Sequence, residues 1–286
     1  MSDRPIIVTA GDLVEDVIVT TSHAPRLGTD IAANIVRRRG GSAANVAVAV
    51  TRAGGRARFV GRVGADERGT RLVDELIADA VEPFVEIVDE LTGTVVVLVA
   101  DGERSFLTDR GASANLHSID AAAICDASML HITGYSFTDA RLVEAIRTTT
   151  SRQPGLAVSV DASSVALLEE YGPSQFLEVC SSLGTEVLLA NEEEAAVLAL
   201  PEAALEIGVP VVVVKQGGAS TVAFTATDRF SVDPIPITAP FDPTGAGDAF
   251  AGGFLVARAS GASLRKAAQA GNHIAHDTLT NPRRSW

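Results

Sequence analysis

The chain has 286 residues, 47% of them hydrophobic, and a formal net charge of −13. So acidic a protein repels nucleic-acid backbones and anionic bilayers, which excludes both as main partners; a nucleotide needs only a local cationic or N–H-lined pocket and stays open. No apolar run approaches the roughly 18–20 residues of a membrane span, and Met1-Ser2-Asp3-Arg4-Pro5 enters a strand-like run without a signal-peptide pattern, so a cytoplasmic location is expected.

Ile6 to Ala10, closed by Gly11, reads as a buried first strand. Val17 to Thr20 and Ile31 to Arg39 alternate apolar with polar or cationic residues, as strands of a small exposed sheet do. Ser42 opens an Ala- and Val-rich helix ending at Gly54-Gly55; Arg58 to Gly61 reads as a strand and Asp66 to Ala80 as a helix with an acidic first turn. Leu91 to Ala100 and Arg104 to Thr108 flank Asp101-Gly102, the strongest hairpin signal in the chain. Strands and helices then alternate through Met129–Thr133, Asp139–Thr149, Leu156–Val160, Pro173–Ser181, Glu186–Leu189, Glu192–Leu200 and Val211–Lys215. Such alternation with nearly all-apolar strands predicts a parallel sheet covered by helices on both faces. Val222–Thr225 and Arg229–Val232 predict a second hairpin, and Gly245–Ala257 and Leu264–Thr278 two closing helices. No repeat, low-complexity run or linker divides the chain. One α/β domain over 1–286 is expected, with a small β lid drawn from segments near 12–40 and 91–110.

The chemistry concentrates in Asp242-Pro243-Thr244-Gly245-Ala246-Gly247-Asp248-Ala249-Phe250. A Pro-Thr turn leads through Gly245-Ala246-Gly247 into an apolar helix, so the N–H groups of Ala246, Gly247 and Asp248 lie at a helix N-terminus and can converge on an anion. Asp248 lies in the first turn, where the helix dipole favours a carboxylate. An anion hole beside a carboxylate has the logic of phosphoryl transfer: the N–H groups hold the transferring phosphate and the Asp accepts the proton of the attacking hydroxyl. A bare Gly-x-Gly-Asp would be only a turn before a helix. The dinucleotide fingerprint is excluded because Phe250 stands where its third Gly is needed, and no P-loop pattern occurs in the chain.

Asp242 to Phe250 resembles the C-terminal signature of the PfkB carbohydrate kinases, the ribokinase-like family, and other pieces follow in that family's order. Gly40-Gly41-Ser42-Ala43-Ala44-Asn45 resembles its G-G-x-x-x-N signature, and Gly11 with Asp16 its G-x-x-x-x-D. Asn191-Glu192-Glu193-Glu194 resembles its N-x-x-E motif, and Val214-Lys215-Gln216-Gly217 its strand and loop at the nucleotide. The matches span residues 6 to about 275. The resemblance implies a ribokinase-like three-layer α/β/α sandwich with a mainly parallel central sheet and a small β-sheet lid. It also implies ATP-dependent transfer of the γ-phosphoryl group to a hydroxyl of a small sugar or sugar-like substrate. Asp248 would be the catalytic base, and the backbone from Gly245 through Ala246 and Gly247 to Asp248 the anion hole.

Further roles follow from the same likeness. Asp16 matches the family's substrate carboxylate, able to accept hydrogen bonds from two sugar hydroxyls, with Asp12 beside it; Gly41 and Asn45 match its other sugar contacts. Asn191, Lys215, Gly217 and Asn272 match the ATP side, although Asn191 reads equally well as a plain N-cap. Glu194 matches a residue that organises Mg²⁺ through water. Asp242 and Thr244 match a monovalent-cation site, which makes K⁺ a further expected cofactor.

Three departures qualify the likeness. Pro243 replaces the commoner Thr, and Ser42 stands where ribokinases proper carry Lys, so ribose itself is not indicated. After Thr278 the chain reads Leu-Thr-Asn-Pro-Arg-Arg-Ser-Trp without the family's Gly-containing loop, which puts K⁺ dependence in doubt. A nucleoside kinase of the same fold would share every motif and differ in its lid. A non-catalytic sugar-binding regulatory protein could keep the fold, but the intact Asp248, Gly245, Gly247 and Glu194 speak against it. An apolar lid face would let two copies pair into a homodimer. Arg104 and Arg110 read first as solvated hairpin-end residues and second as contacts to an anionic group. Cys125 and Cys180 read as reduced core thiols, and His273 and His276 as surface or packing residues.

Overall fold

Ile7 and Val8 are neighbours in sequence yet enter different cores, and so do Leu188 and Leu189 or Val212 and Val213. That alternation is what a strand buried on both faces requires, because successive side chains point to opposite sides. The computed structural model describes residues 4–238 and 243–281. Its strands, in chain order, are β1 (Ile6–Ala10), β2 (Val14–Thr21), β3 (Ala33–Gly40), β4 (Arg56–Gly64), β5 (Val81–Val88), β6 (Thr92–Ala100), β7 (Glu103–Gly111), β8 (Met129–Thr133), β9 (Ala157–Asp161), β10 (Thr185–Asn191), β11 (Val211–Lys215), β12 (Thr221–Phe224) and β13 (Arg229–Val232). The helices are α1 (Ser42–Arg52), α2 (Glu67–Ala78), α3 (Ala121–Ile124), α4 (Ala140–Arg152), α5 (Val165–Tyr171), α6 (Pro173–Ser182), α7 (Glu192–Val197), α8 (Glu202–Glu206), α9 (Ala246–Ala259) and α10 (Leu264–Thr280).

The large sheet runs β13-β12-β11-β10-β9-β8-β1-β4-β5, parallel from β11 to β5 and closed at the other edge by the antiparallel β12–β13 hairpin. One core lies between this sheet and residues of α3 to α8; the other packs it against α1, α2, α9 and α10. α9 is held closely. A Cβ on Gly252 would lie 2.4 Å from the Ala49 Cβ of α1, and one on Gly271 of α10 would meet the Phe250 ring at 2.7 Å.

β2, β3, β6 and β7 form a separate sheet in the order β3-β2-β6-β7, in which β2 and β6 run parallel. These strands fall in the two segments expected to build a small second sheet. Pairing sets its faces. Asp16 is level with Arg38 and Val95, Val95 with Thr108, Val97 with Phe106 and Val99 with Arg104, so these residues share one face. The other face carries Glu15, whose buried carboxylate receives Arg71 of α2 at 2.5 Å and Arg37 at 2.6 Å.

Four elements escape the sequence reading: β5, α5 and the short helices α3 and α8. β5 contains Pro83 and three of its residues are exposed; it fits only as the edge strand it proves to be, where a missing N–H breaks no ladder. α5 is a seven-residue helix between β9 and α6. Among the described residues no helix is long and apolar enough to cross a membrane.

Candidate active site

The site assembles at the carboxyl ends of the parallel strands, where an open α/β sheet places its ligand crevice. Gly245 caps α9 with φ 75°, a left-handed conformation that costs glycine nothing. The Ala246 N–H turns back onto the Pro243 carbonyl at 3.2 Å. Of the three N–H groups expected to form an anion hole, that one is therefore committed elsewhere, which leaves Gly247 and Asp248 as the candidate donors.

Asp248 is held from α1. The Ser42 hydroxyl donates to Oδ1 at 2.6 Å and the Asn45 amide Nδ2 donates to Oδ2 at 3.0 Å. Burial pushes its carboxyl up to about 6, and the Ser42 and Asn45 hydrogen bonds pull the other way. The Gly40-Gly41 pair explains how α1 comes so close. A Cβ on Gly41, at φ 102°, would lie 2.1 Å from the Asp12 carbonyl oxygen, and one on Gly40 would lie 2.0 Å from Asp16 Oδ1. Asp16 thus rests on bare backbone. Burial raises its carboxyl to about 6 against the opposing pull of Arg39 and Arg38.

A second group of charges lies beside α9. Lys215 Nζ donates to Asp161 Oδ2 at 2.6 Å, and both side chains are largely buried. Burial draws the Lys215 ammonium down, but the Asp161 and Glu194 carboxylates outweigh it and the net shift is upward. Asn191 and Glu194 form a reciprocal capping box on α7: the Glu194 N–H donates to Asn191 Oδ1 and the Asn191 N–H to Glu194 Oε2, each at 2.8 Å. Glu194 is pushed up to about 7, first by burial and then by the Asp161 charge. With Asp161, Glu194 and Asp248 ionised, Lys215 balances only one of three negative charges.

The remaining expected residues are scattered. Asp12 takes a two-pronged ion pair from Arg110, at 2.9 and 2.7 Å, so neither residue is the freely solvated group that the sequence suggested for Arg110. Arg104 is exposed, as expected of a hairpin end, and also donates to the Thr244 hydroxyl, linking the small sheet to the turn before α9. Gly217 occupies the turn after β11 at φ 56°. Asn272 accepts from Thr221 at 3.3 Å and donates to the Asp233 carbonyl at 3.0 Å; it lines a cleft of about 800 Å³ with Arg265, Lys266 and His273. Asp242 lies outside the described residues.

Ser42, Asp161 and Arg110 were missed as partners by sequence reasoning. The sequence marks Ser42 as the start of a helix and a replaced Lys but not as a partner of Asp248, and Asp161 belongs to no motif. Among the described residues no three His, Cys, Asp or Glu side chains converge as a metal cage. The surplus negative charge fits a Mg²⁺ that arrives with a polyphosphate and keeps most of its waters.

A family model described as pfkB family carbohydrate kinase matches residues 6–283. Probable fructokinase-4 of Arabidopsis thaliana is 30% identical over 279 residues, covering 88% of this chain and 82% of its own. An adenosine kinase structure from Sinorhizobium meliloti superposes with a TM-score of 0.85 at 23% identity, covering 98% of this chain and 95% of that one. A structure described as a ribokinase II from E. coli in complex with ATP and Mg²⁺ gives 0.82 at 24% identity, covering 97% and 93%. At those identities the two structures establish the ribokinase-like fold. With the family model spanning nearly every residue, the chain belongs to the pfkB family of carbohydrate kinases.

Proposed function

We propose that this ATP-dependent carbohydrate kinase uses Asp248 to accept the proton of a sugar hydroxyl as that oxygen attacks the γ-phosphoryl group of ATP. The observation that carries the reading is the seat of Asp248: a half-buried carboxylate in the first turn of a helix whose N-terminus no side chain caps, held by Ser42 and Asn45. Both donors stabilise the anion that a base needs, while burial keeps it basic enough to take a proton near neutrality. The Gly247 and Asp248 N–H groups would hold the transferring phosphoryl, with the Lys215 ammonium beside them. Asp16, desolvated against Gly40, would accept hydrogen bonds from acceptor hydroxyls. Glu194 would hold water of a nucleotide-borne Mg²⁺, whose contribution is to neutralise phosphate charge.

The base of the nucleotide would lie toward Asn272. That residue acts through the Thr221 and Asp233 contacts that shape the cleft, because its amide is already engaged. Thr244, held by Arg104, would contribute to a K⁺ site only once that contact is released.

One observation favours a nucleoside as acceptor. Phe106 is 64% exposed and shares with Asp16 the sheet face that reaches Thr244, a position from which a ring can stack on a base. The test is ATP consumption against pentoses, hexoses, sugar phosphates and nucleosides, each with and without K⁺, with Asp248→Asn as the blank. Turnover on a sugar supports the main reading, and turnover confined to nucleosides the second. Absence of turnover across the whole panel would overturn both.

A further inference from the structure

Asp161 ends β9 and Lys215 ends β11, and β10 lies between them in the sheet. Adjacent strands are about 4.8 Å apart, so the lysine must cross the end of β10 to reach a carboxylate two strands away. It does so within 2.6 Å, with only 14% of the lysine side chain and 11% of the aspartate side chain exposed.

The turn after β9 is shaped to present that carboxylate. Asp161 Oδ1 accepts the Ser163 N–H at 3.0 Å while Oδ2 takes the lysine. Ser163 adopts φ 74°, an unfavourable conformation for a residue with a side chain. It is locked there by its hydroxyl, which donates to the Asp161 carbonyl at 3.0 Å and accepts the Gly134 N–H at 2.9 Å.

The destination of the ammonium is equally specific. A Cβ placed on Gly247 would find Lys215 Nζ at 3.3 Å and, among the described residues, no other heavy atom beyond its own helix backbone and chain neighbours within 4 Å. Lys215 Nζ is thus packed directly against Gly247 in the first turn of α9. An anion seated on the N–H groups of that turn would face Nζ directly. Left without Asp161, a lysine on this strand end would be free to swing into solvent or toward Glu194.

We propose that Asp161 is a positioning residue: it fixes the Lys215 ammonium over Gly247, where the cation meets the phosphoryl group in transit. The inference rests on the phosphoryl-transfer reading above. It differs from a purely structural buried ion pair in that the carboxylate acts on the reaction only through the lysine.

Calorimetry with Mg·AMP-PNP and Mg·ADP reads the γ-phosphoryl contact without an acceptor. Lys215→Met is expected to weaken Mg·AMP-PNP about tenfold and Mg·ADP less than about twofold, the loss of a charge-assisted contact to one phosphate. Asp161→Asn should give the same asymmetry in smaller measure, and the double variant should be no worse than Lys215→Met alone. With whichever acceptor the screen returns, kcat should fall about 10²-fold in Lys215→Met and about tenfold in Asp161→Asn, with acceptor KM unchanged. Asp161→Glu keeps the charge and should recover part of the loss. It also decides the question if the Asn variant does not fold.

Equal loss of both nucleotides in Asp161→Asn, or a full additional loss on top of Lys215→Met, would overturn the positioning role. Asp248→Asn separates the two layers of argument. If it turns over like wild type, the phosphoryl-transfer reading itself falls. If it is inactive while Asp161→Asn keeps wild-type kcat and nucleotide preference, only the role of Asp161 falls.

Discussion

At the carboxyl edge of the large sheet, Asp248, Asp161, Glu194 and Lys215 each have a hydrogen-bond partner within 3.0 Å. On the small sheet, Phe106 and Val36, on the face that carries Asp16, are 64% and 37% exposed. The two regions contrast in what fixes them. Buried charges tolerate one arrangement because each misplaced group loses its partner in a low dielectric, whereas exposed apolar side chains on a sheet surface can be exchanged at small cost. Chemistry common to a family belongs in the first setting, and discrimination among acceptors in the second.

Four substitutions or titrations probe that division. Asp248→Asn should show the largest effect, lowering kcat by at least about 10³-fold through loss of the base, with nucleotide affinity retained. The same change should raise the thermal midpoint by a few degrees at pH 7.5. The sign follows from the raised carboxyl: the folded state holds this proton more tightly than the unfolded chain, so stability from this group falls as pH rises from the ordinary carboxylate range through about 6. At pH 7.5 the ionised group therefore opposes folding, and an uncharged isostere relieves it. A variant that was both active and less stable would break the contrast at its strongest point.

Gly40→Ala comes next. Its Cβ would fall 2.0 Å from Asp16 Oδ1, so the carboxylate must move, and acceptor KM should rise about 10- to 100-fold with nucleotide affinity unchanged. An unchanged acceptor KM would remove Asp16 from the acceptor site. The pH profile follows: kcat/KM should decline at least about tenfold per unit below pH 6, as protonated Asp248 can no longer accept a proton and Asp16, raised to about 6 as well, loses its charge. A profile flat down to pH 5 would contradict the assigned base. Phe106→Ala should have the smallest effect, a few-fold change in acceptor KM with kcat and thermal midpoint held, because an exposed side chain contributes little to folding. A change in kcat equal to that in KM would place Phe106 with the rigid machinery instead.

What the sequence disclosed follows the same division. The apolar strands, the Asp101-Gly102 hairpin and the glycine-flanked Asp248 are local patterns, and each is found where it was expected. The Asp161–Lys215 pair is not local: it joins residues 54 apart across an intervening strand, and nothing near Asp161 in the chain announces a partner. The same holds for Arg110 with Asp12, 98 residues apart, and for Ser42 with Asp248, 206 apart. β5 was missed for the opposite reason, since Pro83 argues locally against a strand that only its edge position permits. Asn191 is the N-cap that its place before Glu192 suggests, whereas Asn272 is identified as a residue but not in its contacts, which tie it to the β12–β13 side of the cleft.

The close fit of α9 has a consequence for how such an enzyme changes over time. Where Gly252 meets the Ala49 backbone and Gly271 meets Phe250, no side chain lies between to take up slack, so α9 cannot shift without forcing its neighbours apart. The N-terminus of α9, where the proposed anion seat lies, is therefore a fixed reference point. With the acceptor against the small sheet as proposed, adaptation to a bulkier or differently shaped one would be worked out there, by exchanging residues such as Val36 and Phe106 one at a time. A lineage can in this way alter its diet while its reaction stays the same.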